Sequence, residues 1–286
     1  MKRLLAAALA SAMMLSLAAC NEKPKMTCDG GTETMKEPES ETIEKIVITD
    51  PDDSLPSPEA PFTEADISKY VRDARDTYKH LEKDEHAGYH VPEILIDSDC
   101  AKSVNEEIAK RFEMYEAAIV KDGESHYYAS EYIAYLTKEG ILTVVFVEIG
   151  MWDDDIYHVY NIDVTTGSYA DNARLAEISG VTGIGAAAKD AVQAYYNASG
   201  QVKIENYKVV SANDSLNGME QAIQDSFGDD RLNDTMLIGL KSDGTMFFIS
   251  ALGSFGGAEW YYRMYDVAGN DLHDYDKGDP GWVRGK

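Results

Sequence analysis

Two hydrophobic patterns alternate along the chain, and together they predict a mixed fold. Apolar residues spaced three and four apart are typical of helices, and an alternation of period two is typical of strands. The first pattern predicts helices over residues 63–81, 98–120, 186–196 and 216–227. The second pattern predicts strands over residues 91–96, 128–136, 141–149, 156–164, 236–241, 245–252 and 260–267. We therefore predict an α+β fold in which helices pack on antiparallel meander sheets.

The two predicted groups of strands resemble each other in sequence. Residues 136–140 (LTKEG) parallel residues 240–244 (LKSDG), and residues 160–164 (YNIDV) parallel residues 262–267 (YRMYDV). One explanation is a duplicated α+β unit. The other is that any meander needs turns that contain Gly and Asp. Both explanations stay open at the level of the sequence.

Residues 1–20 differ in composition from the rest of the chain. A basic start at residues 2–3 precedes an apolar stretch, residues 4–17, and the segment ends in the sequence LAAC at Cys20. This pattern is typical of a secretory signal peptide. A Cys directly after Leu-Ala-Ala resembles the bacterial lipobox, which implies cleavage after residues 1–19 and a diacylglycerol and palmitate anchor on Cys20. We therefore expect an exported lipoprotein, held by lipid at the outer face of the cytoplasmic membrane.

The remaining chain divides by composition into a tether and two modules. Residues 20–62 are rich in Pro, Glu, Ser and Thr, which is typical of a flexible linker. Residues 63–180 and 181–286 are expected to form two α+β modules, with the second packed on the first. Cys28 lies in the tether and Cys100 near a helix start, and spacing alone leaves open whether the two form a disulfide.

The charge of the chain limits its partners. It carries 26 Lys and Arg against 51 Asp and Glu, which gives a formal net charge of −25. Nucleic-acid binding needs clustered cations, and so does adhesion of a basic surface to anionic lipid, so we expect neither. An acidic surface instead favours a cationic partner.

Motifs of known chemistry are present only in incomplete form. His86 and His90 stand four apart but without an HExxH motif, and Gly183 and Gly185 lack the strand that precedes a dinucleotide-binding turn. The chain has no GxSxG motif. We expect no metal site, no cofactor and no recognisable catalytic residue. Weak calcium binding stays open at a C-terminal acidic cluster formed by Asp271, Asp274, Asp276 and Asp279.

The surface feature with the clearest binding character is the predicted loop that contains Trp152, Asp153, Asp154 and Asp155. It falls between two strands, and it combines one large aromatic side chain with three carboxylates. Such a combination suits a cationic protein or peptide, because burial of the aromatic ring adds to charge attraction. The alternative is an ordinary acidic loop whose Trp folds back on the sheet.

Several short motifs between residues 91 and 180 resemble a known extracytoplasmic module. They are VPEI at residues 91–94, VNEEI at residues 104–108, LTVVF at residues 142–146 and YNIDVTTG at residues 160–167. The module occurs in RsiV-type anti-sigma factors, which sense lysozyme, and in the N-terminal part of PdaC-type peptidoglycan deacetylases. The resemblance implies an α+β binding module and carries over no catalytic residue.

These observations together predict a lipid-anchored cell-envelope binding protein without catalytic activity, which recognises cell-wall material or a cationic protein. The alternative is a peptidoglycan-modifying hydrolase whose site is assembled from scattered residues. The oligomeric state is not indicated by the sequence.

Overall fold

The computed structural model describes residues 64–74, 77, 89–122, 127–150, 155–213, 216, 218–228, 231–232, 235–255 and 260–272. Every described residue belongs to one compact unit, Pro51–Lys286. The expected signal peptide (1–19) and tether (20–62) lie outside the described residues, as does Cys20. The expected boundary between modules at residue 180 stays a prediction.

Helices and antiparallel strands form the described part of the chain, which confirms the predicted α+β class. The helices are α1 (Glu64–Ile67), α2 (Asp99–Asp122), α3 (Asn172–Ser179), α4 (Ile184–Ala198) and α5 (Glu220–Asp225). The strands are β1 (Val71–Asp73), β2 (Pro92–Ile94), β3 (Tyr127–Leu136), β4 (Ile141–Gly150), β5 (Ile156–Asp163), β6 (Val202–Glu205), β7 (Lys208–Ala212), β8 (Leu237–Leu240), β9 (Met246–Gly253) and β10 (Trp260–Asp266).

The first meander is the sheet β3–β4–β5, with β4 in the centre. Every residue of β4 except Ile149 is buried, because this strand is covered on both faces. Helix α2 covers one face, as the spacing of its apolar residues predicted: Val104, Ile108 and Phe112 are buried, and the Phe112 ring lies 6.0 Å from Phe146. The Ser98 hydroxyl accepts a hydrogen bond from the Ala101 amide, which fixes the start of α2.

The second meander, β10–β9–β8, covers the other face of the first. Val145 and Val147 of β4 form one apolar cluster with Phe247, Ile249 and Met264 of the second meander. Two hydrogen bonds join the sheets directly: Asn161 Nδ2 donates to the Ile238 carbonyl at 2.9 Å, and the Leu240 amide donates to Thr143 Oγ1 at 3.3 Å. Helices α4 and α5 cover the outer face of the second meander, so the layers run helix, sheet, sheet, helix.

The two meanders share their turn geometry. Gly140 and Gly244 both have a φ of +83°, and each donates its amide to the carbonyl three residues earlier at 2.9 Å. The carboxylates of Asp163 and Asp266 each accept a hydrogen bond from an amide two residues later. The last strands differ in register, however. Asp163 pairs with Ile141, which is one residue after Gly140, whereas Asp266 pairs with Phe247, which is three residues after Gly244.

The first predicted helix is wrong over residues 68–74. Helix α1 ends at Ile67, whose carbonyl accepts the Tyr70 amide in a turn, and Val71 begins β1. Val71 lies opposite Ile94 of β2, and both side chains are buried. Val71 was assigned to a helix because of its spacing from other apolar residues, but this β-branched residue packs in a strand pair. Thr63, the expected start, lies outside the described residues.

The hairpin of β6 and β7 was not predicted from the sequence. Its two-residue turn holds Asn206 and Tyr207 at φ values of 49° and 60°, where the preferred sequence is Asn-Gly. The side chain of Gln224 holds the hairpin against α5, because it accepts the Val209 amide and donates to the Tyr207 carbonyl, each at 2.9 Å. The Met219 amide donates to the Leu216 carbonyl in a turn, and α5 begins only at Glu220, so it is shorter than the predicted helix over residues 216–227.

Candidate functional site

The loop between β4 and β5 connects the central strand of the first meander to an edge strand. Trp152, Asp153 and Asp154 lie outside the described residues. Asp155 is described: its Oδ1 atom accepts a hydrogen bond from the Gly150 amide at 3.2 Å, across the base of the loop. Asp155 therefore closes the loop, in addition to the partner-binding role that the sequence predicts for it.

A buried group of charged side chains lies directly below this loop. Glu148 is two residues before the end of β4, and its side chain is only 3% exposed. One carboxylate oxygen, Oε1, lies 3.0 Å from Arg111 Nη1 and 2.5 Å from His158 Nε2. Arg111 comes from α2 and His158 from β5, so Glu148 connects the helix to both strands of the hairpin.

The same group extends along α2 through a second carboxylate. Arg111 Nη2 donates to Glu107 Oε1 at 3.2 Å, and the Tyr160 hydroxyl donates to the same oxygen at 3.2 Å. Burial raises the pKa of Tyr160, and the neighbouring Glu107 charge raises it further, so this hydroxyl stays protonated. Burial alone would lower the pKa of Arg111, but the charge of Glu148 and the hydrogen bond to Glu107 outweigh it and raise the pKa.

The geometry makes this group a rigid support for the loop. Each carboxylate receives two donors, and the stacked rings of Phe146 and His158, 5.9 Å apart, hold the imidazole in place. Arg111 Nε is buried and has no hydrogen-bond partner among the described residues. The sequence carried one signal for this group, because Glu148 is the only charged residue in the strand ILTVVFVEIG.

The other predicted candidates are dispersed over the molecule. His90 Nδ1 lies 2.8 Å from Asp73 Oδ2 and the side chain is 25% exposed, so it is paired and not a solvated loop histidine. His86 and Cys28 lie outside the described residues, and Cys100 is buried in α2. Gly183 directly precedes the first residue of α4. Over the described ranges, no three His, Cys, Asp or Glu residues come together as a metal site would need.

A cleft of about 530 Å³ opens between the β6–β7 turn and the end of α5. The rings of Tyr207 and Phe227, 6.0 Å apart, form its apolar wall. The lining carries charges of both signs, including Lys208 and Asp225, so its charge does not indicate one class of ligand. No residue predicted from the sequence as a site lies in this cleft.

Compared with known protein families and with characterised proteins, the chain matches no family model and no curated sequence. The resemblance to the RsiV-type and PdaC-type module therefore rests on the short motifs alone. Within the part of the chain that the structure describes, no helix is both long and apolar enough to cross a membrane.

Proposed function

We propose that this chain is a lipid-anchored cell-envelope protein that binds a cationic protein through the loop of residues 151–155 and catalyses no reaction. The observation that carries the proposal is the closed base of that loop. The Gly150 amide and the Asp155 carboxylate join the two strand ends. The side chains of Glu107, Arg111, Glu148, His158 and Tyr160, here called the Glu148 group, fix the strands to α2. Joining the two ends of a loop reduces the conformational entropy that the binding of a partner has to remove.

Charge supports a cationic partner for this loop. Three carboxylates follow Trp152 in a chain whose formal net charge is −25. Long-range attraction between an acidic protein and a basic partner raises the association rate, and the buried ring of an aromatic residue adds affinity at short range. The same attraction is screened by salt, with a Debye length of about 10 Å at 0.1 M.

The proposal is tested with hen egg-white lysozyme as the basic probe and the residue 20–286 chain as the receptor. Binding measured by calorimetry at 50 mM salt should weaken at least tenfold in the variant Asp153→Asn with Asp154→Asn. The matched control, Glu177→Gln with Glu205→Gln, removes the same charge from exposed positions elsewhere and should weaken binding less than twofold. Equal losses in both variants would contradict a role for the loop, and so would a complete lack of binding at low salt.

Membrane attachment through Cys20 has a separate test. Cys20→Ser should abolish incorporation of radiolabelled palmitate and move the protein from the membrane fraction to the soluble fraction, because the acyl chains supply the anchoring energy. Unchanged labelling and fractionation would contradict the anchor. Incubation with peptidoglycan fragments separates binding from catalysis, since time-dependent products in mass spectrometry would favour the alternative of a wall-modifying hydrolase.

A further inference from the structure

A small cavity lies on the outer face of the second meander, beneath α4. It encloses about 150 Å³, and its walls include the rings of Tyr195, Phe255 and Tyr261 and the side chain of Leu252. Arg263 of β10 is the charged residue in this lining. A cavity of this size accommodates one small ring or a short chain and is smaller than the roughly 300 Å³ of a typical drug-sized site.

The cavity occupies the position that the Glu148 group has in the first meander. Glu148 and Leu252 each lie eight residues beyond the turn glycine of their hairpin, on the helix-covered face of the sheet. The residue six positions after each turn glycine pairs with a basic residue of the next strand. Phe146 pairs with His158 in the first meander, and Ser250 pairs with Arg263 in the second. The second meander thus keeps a basic side chain at this place but has Leu252 where the first has the carboxylate of Glu148.

Arg263 faces aromatic side chains in this cavity. Its guanidinium carbon lies 5.4 Å from the centre of the Tyr261 ring. No ion pair joins Arg263 to a carboxylate of any described residue. The charge of Asp271 raises the pKa of Tyr195, although burial contributes more to that rise. Within the described residues Arg263 is thus a guanidinium without a carboxylate partner, in a chain that carries 51 acidic residues.

We propose that this cavity binds a small molecule that carries one carboxylate on an apolar body. The planar fork of the Arg263 guanidinium matches the two carboxylate oxygens, and the Tyr195, Phe255 and Tyr261 rings enclose the apolar body. The ligand carboxylate supplies the charge that Glu148 supplies in the first meander. This site is separate from the loop of residues 151–155 and does not depend on the proposed function.

Benzoate is the probe, because it is one ring with one carboxylate, and benzamide is its neutral counterpart of the same shape. In the residue 20–286 chain, titration followed by two-dimensional amide NMR should show saturable shifts at residues 252–254 and 261–263 with benzoate. Benzamide should bind at least tenfold more weakly, because it offers no charge to the guanidinium. Equal affinities for the two probes would contradict recognition of a carboxylate.

Variants at two positions separate the site from the fold. Arg263→Lys keeps the charge but loses the planar fork, so benzoate affinity should fall at least tenfold while the unfolding midpoint in urea changes little. Leu252→Glu introduces the carboxylate found in the first meander and should abolish benzoate binding, whereas Leu252→Gln should retain part of it. Arg174→Gln, which removes an exposed guanidinium elsewhere, is the control and should bind as the wild type does. Unchanged affinity in Arg263→Lys and Leu252→Glu would overturn the proposal.

Discussion

Glu148 is the residue whose removal should cost the first meander most. Its 3%-exposed carboxylate is the common acceptor for Arg111 and His158. Glu148→Gln keeps the shape but leaves a largely buried guanidinium without its main counter-charge, so we expect the free energy of unfolding to fall by about 3 kcal/mol. Urea denaturation at pH 7 measures this change.

Glu177→Gln is the matched control for that substitution. Glu177 also pairs with an arginine, but its side chain is 70% exposed, and we expect a loss of at most about 0.5 kcal/mol. In the Glu148→Gln background, a further Arg111→Met substitution should cost little, because the two changes remove one interaction. Equal losses in the free energy of unfolding for Glu148→Gln and Glu177→Gln would show that burial does not determine how much the Glu148 ion pair contributes to stability.

Individual residues were predictable from sequence where the signal is local. The helix predicted over residues 98–120 starts at Ser98, whose hydroxyl accepts the Ala101 amide, because capping depends only on residues three positions apart. The Glu148 group was not predictable, since Glu107, Arg111, Glu148 and His158 meet only after α2 packs on the sheet. A charged residue alone in an apolar strand indicates a buried partner but does not identify it.

Gly269 sets the distance between α4 and the end of the second meander. A Cβ atom at this position would lie 2.5 Å from the Tyr195 amide nitrogen and 2.6 Å from Ala194 Cβ. Gly269→Ala should therefore push α4 outward, in addition to the strain of a side chain at a φ of +79°. We expect a loss of about 3 kcal/mol in the free energy of unfolding, of which roughly 1 kcal/mol is backbone strain.

Gly180→Ala isolates the backbone contribution. Gly180 has a φ of +69°, yet a Cβ atom at this position would have no neighbour within 4 Å, so only the strain of about 1 kcal/mol should appear. Chemical denaturation of both variants gives the comparison. Similar losses at the two positions would mean that α4 is not held closely against the chain at Gly269.

Elements with a strong period were predicted well, and elements set by tertiary contacts were not. Helix α2 and the strands of both meanders lie within a few residues of their expected bounds, because their apolar patterns run over several turns or alternations. The pairing of β1 with β2 and the hairpin of β6 and β7 were missed. Each consists of two short strands. The β6–β7 hairpin is held by hydrogen bonds from its backbone to the side chains of Gln193 and Gln224 in neighbouring helices.

At the scale of the whole molecule, the sequence predicted the layers but not their arrangement. Alternation identifies which residues share a face of a strand, yet it does not say which element covers that face. The contact between the sheets depends on Thr143 and Asn161, two polar residues inside strands whose partners are backbone groups of β8. The Arg263 cavity depends in turn on α4 lying over the second meander, so no motif could have indicated it.

Buried tyrosines of the two meanders and of α4 should lower the stability of the whole molecule at alkaline pH. Burial raises the pKa of Tyr160, Tyr196 and Tyr265 above the ordinary value near 10. Above pH 10 the unfolded chain releases these protons and the folded chain keeps them, so the free energy of unfolding falls as pH rises. Each group contributes about 1.4 kcal/mol per pH unit until its own folded pKa is reached.

Tyr265→Phe tests this pH dependence by removing one titrating group. The variant loses the hydrogen bond to Ser250, which lowers stability by a similar amount at every pH below 10, but above pH 10 its stability should fall less steeply than that of the wild type. Urea denaturation at pH 8, 10, 10.5 and 11 gives the slope of the free energy of unfolding against pH for the wild type and for the variant. Lysines contribute equally to both slopes, so their contribution cancels in the difference. Parallel slopes in the two proteins would mean that Tyr265 ionises equally in the folded and unfolded chains.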